Sequence, residues 1–386
     1  MRFDTQRAAI NAFHVNQTYL NWFDWRRVCT VACAGCDDGP VLTIGEAREQ
    51  WSPAGVYLNT ASYGLPPRAG FDALQAALAD WRAGRTSWEH WGDSTEAARA
   101  AFAEMVGVAP PQVAVGATVS EFAGLVAASL PRGARVLVPD VEFTSTLFPF
   151  LVQERRGVTV TTLPAGQLAA AIDARTDLVA FSAVQMSSGE VADIDAIVAA
   201  AEHHGATTLV DATQACGWLP LQAGRFGAVV CSAYKWLMSP RGTAFMVVGD
   251  ALREAMVPHS AGWYAGEDVH ASYFGPPLRL ASDGRRFDTS PAWFSWVGTQ
   301  PALELVNRIG VQTVYTHDVA LANRFRAGLG MAPSNSAIVC VDLPDAAERL
   351  QRAGIAAAVR GGKLRVSCHV YNSAADVDAA LDAIAG

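Results

Sequence analysis

From about Val41 onward the apolar residues of this chain follow two alternating rhythms. Short, nearly continuous apolar or β-branched runs recur at residues 113–115, 135–138, 159–162, 178–181, 208–210, 228–231 and 243–248, the pattern of strands buried on both sides. Between them lie stretches with helical spacing: one from Pro66-Pro67 through Trp81, one over 94–106 that ends before Pro110-Pro111, and others at 121–130 and 194–203. Such repetition predicts an α/β fold with a mostly parallel seven-stranded sheet covered by helices on both faces. Residues 55–59 read as extended. After about Trp296 the pattern predicts a helix, a strand at 337–341, a helix at 346–353, two short strands around Gly361-Gly362 and a last helix from Ala374. The expected organisation is a large domain over 41–295, a small C-terminal α/β domain over 296–386, and an N-terminal extension, 1–40, poorly packed and prone to disorder.

Composition narrows the function classes. With 386 residues, 51% hydrophobic and 17% charged, the chain can bury a large core. A net charge of -8 and the lack of a basic stripe disfavour nucleic acid as a partner. No apolar run reaches the length of a membrane span, and residues 1–11 lack the apolar segment of a secretory signal. A cytoplasmic enzyme is therefore expected. Cys216, Cys231, Cys340 and Cys368 sit in apolar or strand-like segments and read as small buried hydrophobes. Cys29, Cys33 and Cys36 match the spacing that holds a four-iron cluster in radical enzymes using S-adenosylmethionine. Those enzymes continue into a long barrel, which this pattern does not, so no metal is expected.

Chemistry enters with lysine, of which the chain has only Lys235 and Lys363; every other basic residue among its 29 is arginine. A guanidinium is permanently charged, whereas a partly desolvated amine can lose its proton and form an imine with an aldehyde. Lys235 lies in an apolar setting, after the run 228–231 and between Tyr234 and Trp236. Other polar groups fall at the carboxyl ends of predicted strands, where open α/β sheets bind ligands. Ala117, Thr118 and Val119 open a helix and leave amides for an anion. Asp211 ends a strand, with Gln214 three residues on, and Phe143 brings an aromatic ring to another strand end. Each is weak alone. Together they meet the needs of pyridoxal 5′-phosphate: a lysine imine, an acid for the ring nitrogen, an aromatic face and a phosphate cup.

In these motifs the chain resembles fold-type I pyridoxal-phosphate enzymes of the class V aminotransferase group, which includes cysteine desulfurases and isopenicillin N epimerase-like proteins. The matching stretches keep that group's order: Tyr57 to Ala61, Gly116-Ala117-Thr118, Val141-Glu142-Phe143, Val184 to Gly189, Asp211 to Gln214, Ser232-x-Tyr234-Lys235 followed by Pro240-Arg241-Gly242, and Arg365-Val366-Ser367. The resemblance implies that Lys235 holds the cofactor and shuttles the Cα proton, Asp211 pairs with the ring nitrogen, and Gln214 pairs with the ring hydroxyl. It puts Phe143 on the ring face, where desulfurases carry His, and Gln185 beside the cofactor. Thr118, the adjacent amides, Ser232 and Tyr234 hold the phosphate. Arg365 binds the substrate carboxylate with help from Asn59. The segment from Arg286 to Pro291, with Ser290, reaches a neighbouring subunit's phosphate, which implies a homodimer with shared sites. Trp88, Trp91, Trp263 and Tyr264 are candidates for the substrate wall.

Desulfurases carry a nucleophilic cysteine on a loop before the carboxylate-binding arginine; here 358–365 is a tight Gly-Gly turn without cysteine. Lys363 decorates that turn and is close enough to Arg365 to touch an anionic side group. Transamination of an α-amino acid is the expected reaction. Carbon–sulfur β-elimination is the alternative, together with epimerisation, which needs a second acid such as Tyr264, His259 or His270. A non-catalytic binding member of the fold would have no reason to keep both Asp211 and Lys235.

Overall fold

The two rhythms resolve into a seven-stranded sheet and a three-stranded one. The computed structural model describes residues 41–86 and 88–386; residues 1–40, with Cys29, Cys33 and Cys36, lie outside the described residues. The large sheet comprises β1 (Val113–Gly116), β2 (Arg135–Pro139), β3 (Thr159–Leu163), β4 (Leu178–Ser182), β5 (Thr207–Asp211), β6 (Ala228–Ser232) and β7 (Ala244–Val248). Their order is β1-β7-β6-β5-β4-β2-β3, and only β7 runs against its neighbours, antiparallel to β1 and β6.

Alternate residues of each strand feed two separate apolar clusters, one per face. Val229 and Cys231 join Phe181 and Phe245 on one side, and Ala228 and Val230 join Leu209 and Met246 on the other. A strand with both faces covered has no polar face to show, which is why these runs look continuous in sequence. Edge strand β3 differs: Thr159, Thr161 and Thr162 face solvent. The first cluster is closed by the helices Trp88–Val106, Ile194–His204 and Trp293–Ile309, the second by Val119–Ser129 and Thr144–Leu151.

Helix Trp88–Val106 begins a turn and a half earlier than its apolar spacing predicts, because Trp88 packs against Trp263 and Trp293 at centroid distances of 5.2 and 5.5 Å. Helix Thr144–Leu151 contains Pro149 and has no helical signature in sequence. Where a single helix is expected after Trp296, there are two, Trp293–Ile309 and Val311–Gly328, divided by Gly310 at φ 83°.

The small sheet, β8 (Ile338–Val341), β9 (Ala358–Arg360) and β10 (Lys363–Ser367), is antiparallel in the order β8-β10-β9 and has its own apolar cluster. Leu58 belongs to that cluster, and bridges Tyr57↔Ala356 and Asn59↔Ser367 tie the chain's first extended segment to it. Gly361 and Gly362, at φ 55° and 78°, make the two-residue β9–β10 turn, which needs left-handed backbone at both positions. Residues Val41–Gly386 form one compact unit. Among the described residues, no helix is long and apolar enough to cross a membrane.

Candidate active site

The carboxyl ends of β1, β2, β4, β5 and β6 converge on one cavity of roughly 280 Å³. After β1, Thr118 caps helix Val119–Ser129: its Oγ1 accepts from the Glu121 amide at 3.3 Å, and Ala117, Thr118 and Val119 line the wall. The first-turn amides of that helix have no acceptor within it and carry the positive end of its dipole, a cradle for an anion. Ser232 and Tyr234, from the end of β6, complete that wall. The Arg241 guanidinium lies 4.6 Å from the Tyr234 ring centre.

Asp211 sits at the last position of β5, 5% exposed. Its Oδ1 accepts from the Thr213 amide at 2.8 Å and its Oδ2 from Thr146 Oγ1 at 3.0 Å. The carboxylate therefore has one oxygen fixed by its own strand end and one by a helix that the apolar pattern does not announce. Gln214 is equally constrained: Nε2 donates to the Ala61 carbonyl at 3.0 Å, and Oε1 accepts from Trp236 Nε1 at 2.8 Å.

Lys235 follows β6 and is 7% exposed. Burial pulls its amine down to about 8; Asp211 opposes that pull, and the charges of Arg365 and Arg360 add to it. Its Nζ lies 5.7 Å from the centre of the Phe143 ring and 5.6 Å from that of Tyr234. Phe143, 40% exposed, stands at the cavity rim. The lysine segment is pinned from beneath. Gly64 passes so close that a Cβ there would lie 2.0 Å from the Lys235 carbonyl oxygen, and the Gly64 amide donates to the Tyr234 carbonyl at 2.9 Å. His369 Nε2 meets the Trp236 carbonyl at 2.9 Å, and its Nδ1 meets Asp318 Oδ2 at 2.7 Å, all fully buried. Since a carbonyl only accepts, Nε2 carries a hydrogen, so Nδ1 and Asp318 share a second proton between them.

Arg365 adjoins the cavity through Met186, a wall residue whose carbonyl accepts from Nη1 at 3.1 Å. The Arg365 side chain is almost wholly buried, and burial and then Arg360 lower it to about 10. Its Nε and the Oδ1 of Asn59 are buried polar atoms without partners among the described residues. Neither residue lines the cavity directly, and a carboxylate bound beside Arg365 would give its Nε an acceptor.

Several residues expected at the site are elsewhere. Gln185 is turned away, donating to Glu142 Oε2 at 3.1 Å; its neighbour Met186 faces the cavity instead. Ser290, expected to reach a second copy's phosphate and not this cavity, is exposed, and Asp288 of the same segment is buried against Arg99 at 2.6 Å. Trp88 and Trp263 pack on each other, Trp91 packs on Phe294, and none of them lines the cavity. Tyr264 bonds Glu96 at 3.3 Å, and burial holds its hydroxyl well above the usual range. His259 and His270 are exposed, with His270 on Tyr273. None of Tyr264, His259 and His270 lines the cavity. Thr146, Gly64 and His369 are site-shaping residues that motif reading missed; only contacts made by the fold reveal them.

A buried depressed amine, a fixed carboxylate, an aromatic rim and an amide cradle in one cavity match what pyridoxal phosphate requires. Comparison with known proteins agrees. The family model described as Aminotransferase class-V matches residues 56–353. An uncharacterized aminotransferase of Bacillus subtilis is 29% identical, over 78% of this chain and 85% of that one. Isopenicillin N epimerase of Streptomyces clavuligerus is 28% identical over 86% and 96%. The crystal structure of a cysteine desulfurase from Escherichia coli superposes with a TM-score of 0.76 at 22% identity, covering 89% of this chain and 98% of that one, which bears out the fold. This chain belongs to the class-V aminotransferase family, and its cofactor is pyridoxal 5′-phosphate.

Proposed function

We propose that this protein transfers the amino group of an α-amino acid by labilising its Cα proton. The observation that carries the reading is the Lys235 amine, buried beside Asp211 and lowered to about 8. Bound in the cavity, pyridoxal phosphate supplies an aldehyde for amines and a ring that accepts electrons from Cα. Lys235 would anchor that aldehyde and would be the base that takes and returns the Cα proton, a role suited to an amine lowered to about 8. Asp211 pairs with the ring nitrogen and keeps it protonated, held in place by Thr146 and the Thr213 amide. Gln214 keeps one amide hydrogen free for the ring hydroxyl, and Phe143 shields one ring face. Ala117, Thr118, Val119, Ser232 and Tyr234 hold the phosphate, with Ser290 of a second copy completing it in a homodimer. Arg365 and Asn59 orient the substrate carboxylate.

The tight Gly361-Gly362 turn leaves no cysteine-bearing loop before Arg365, so this reading gives no part to a persulfide nucleophile delivered from that position. The test is an absorbance screen of purified holoenzyme against a panel of amino acids. Conversion of the cofactor to its amine form with keto-acid release supports the reading. Pyruvate and ammonia from a cysteine conjugate would replace it with β-elimination, and loss of optical activity without amine transfer with epimerisation. An unmodified Lys235 peptide after borohydride trapping would remove the whole scheme.

A further inference from the structure

The hairpin that brings Arg365 to the cavity carries more positive charge than one carboxylate can balance. In the β9–β10 register Arg360 faces Lys363, and Arg365 lies two residues beyond Lys363 on the same strand. Side chains alternate along a strand, so Arg360, Lys363 and Arg365 share one face, with only the small Ala358 opposite Arg365. The two arginines converge on one hydroxyl: Arg365 Nη2 donates to Ser62 Oγ at 2.7 Å and Arg360 Nη2 at 3.0 Å. Neither guanidinium is paired with a carboxylate among the described residues, and Arg365 keeps a buried, unpartnered Nε. Like charges that close, one of them buried, raise each other's cost unless an anion joins them. In a chain of net charge -8, such a cluster is not a general surface property.

Resting on the Cα chemistry proposed above, we infer that Arg360 is a specificity residue that selects substrates with a second anionic group, so that the preferred amino acids are dicarboxylic. Arg365 takes the α-carboxylate. Arg360 then faces the distal carboxylate, which neutralises the second guanidinium, and exposed Lys363, paired opposite Arg360, adds positive charge on that face of the hairpin. A monocarboxylic amino acid leaves Arg360 without an anion.

The test compares kcat/KM for glutamate and aspartate with that for alanine, in wild-type holoenzyme and in Arg360→Gln. The wild type is expected to prefer the dicarboxylic substrates, and the substitution to lower that preference by about 10- to 100-fold, the effect of one charge-assisted hydrogen bond. Calorimetry on cofactor-free protein gives a readout independent of turnover: glutarate is expected to bind more tightly than butyrate, and Arg360→Gln to erase the difference. An equal loss for both substrate types would place Arg360 on the α-carboxylate and overturn the inference. So would wild-type enzyme that uses alanine as readily as glutamate, an outcome that leaves the Cα chemistry standing. Protein that takes up no cofactor would instead remove the function proposed, while the glutarate and butyrate comparison still decides this point. Should Arg360→Gln not fold, Arg360→Lys and that wild-type comparison decide it.

Discussion

The depressed Lys235 amine makes a prediction about stability that is independent of any reaction. Lysine in the unfolded chain titrates at its ordinary 10.5, and in the fold at about 8, chiefly because burial penalises the charged form. For a lowered lysine the native state is penalised while the amine is protonated. The penalty is full below about 8 and fades as pH rises through the interval to 10.5. Over that interval the difference amounts to about 3 kcal/mol, at 1.36 kcal/mol per pH unit. Lys235→Met, similar in shape and uncharged, removes the titration. The assay is denaturant unfolding of cofactor-free wild type and variant at pH 7 and pH 10. Wild type is expected to gain about 2–3 kcal/mol on the variant between the two. Subtracting the variant cancels the other titrating groups and any fixed cost of leaving Asp211 without its neighbour. A stability difference that is the same at both pH values would refute the argument, and with it the claim that the amine is desolvated. The functional counterpart is that at pH 7.5 about a quarter of such amines are neutral, against about a thousandth for an ordinary lysine.

Three further outcomes follow from contacts around the site. Thr146→Val removes the donor to Asp211 Oδ2, a hydrogen bond to a charged group worth about 1.5–3 kcal/mol. It is expected to weaken cofactor binding about 10- to 100-fold in a spectral titration, and unchanged affinity would show that Thr146 does not position the acid. Gly64→Ala forces a Cβ to within 2.0 Å of the Lys235 carbonyl oxygen and 2.9 Å of Met238 Cα, both backbone atoms that cannot swing aside. A stability loss of about 1–3 kcal/mol in thermal unfolding, with slowed cofactor uptake, is expected. Asp318→Ala leaves the buried His369 without its partner and is expected to cost about 3–5 kcal/mol in denaturant unfolding. Asp318→Asn, whose amide can donate to Nδ1, should recover most of that, and equal losses in both would argue against a shared proton.

The inner strands of the large sheet were legible because doubly covered strands cannot avoid being continuous apolar runs, and edge strand β3 because its threonines are β-branched. The lysine and Asp211 were legible because residue type alone limits who can form an imine or protonate a ring nitrogen. Legibility failed where a contact distant in sequence decides the outcome. Helix Thr144–Leu151 forms despite Pro149 because Phe150 packs under the sheet. The early start of helix Trp88–Val106 is set by tryptophans near residues 263 and 293. Gln185 and Met186 open a turn closed by the Gly189 amide on the Gln185 carbonyl, and that turn sends the polar side chain to Glu142 and the apolar one to the cavity, a choice no motif records. Arg360 had no motif to mark it; its nearness to Arg365 exists only once the hairpin is paired and Ser62 is delivered from far earlier in the chain.

The reversed strand β7 has a further consequence. A crossover to a parallel neighbour must climb over the sheet through a helix, but the link from β6 to an antiparallel β7 can stay inside, and that link is where Lys235 sits. Both of its ends are clamped by ladder pairs, Ser232↔Ala244 among them, and β7 is in turn flanked by β1 from more than a hundred residues earlier. Lys235 and the Thr118 cradle that follows β1 thus meet around one cavity only when the most sequence-distant pairing of the sheet, β1 with β7, has closed. Yellow colour in a refolding experiment should appear last, after secondary structure has already returned.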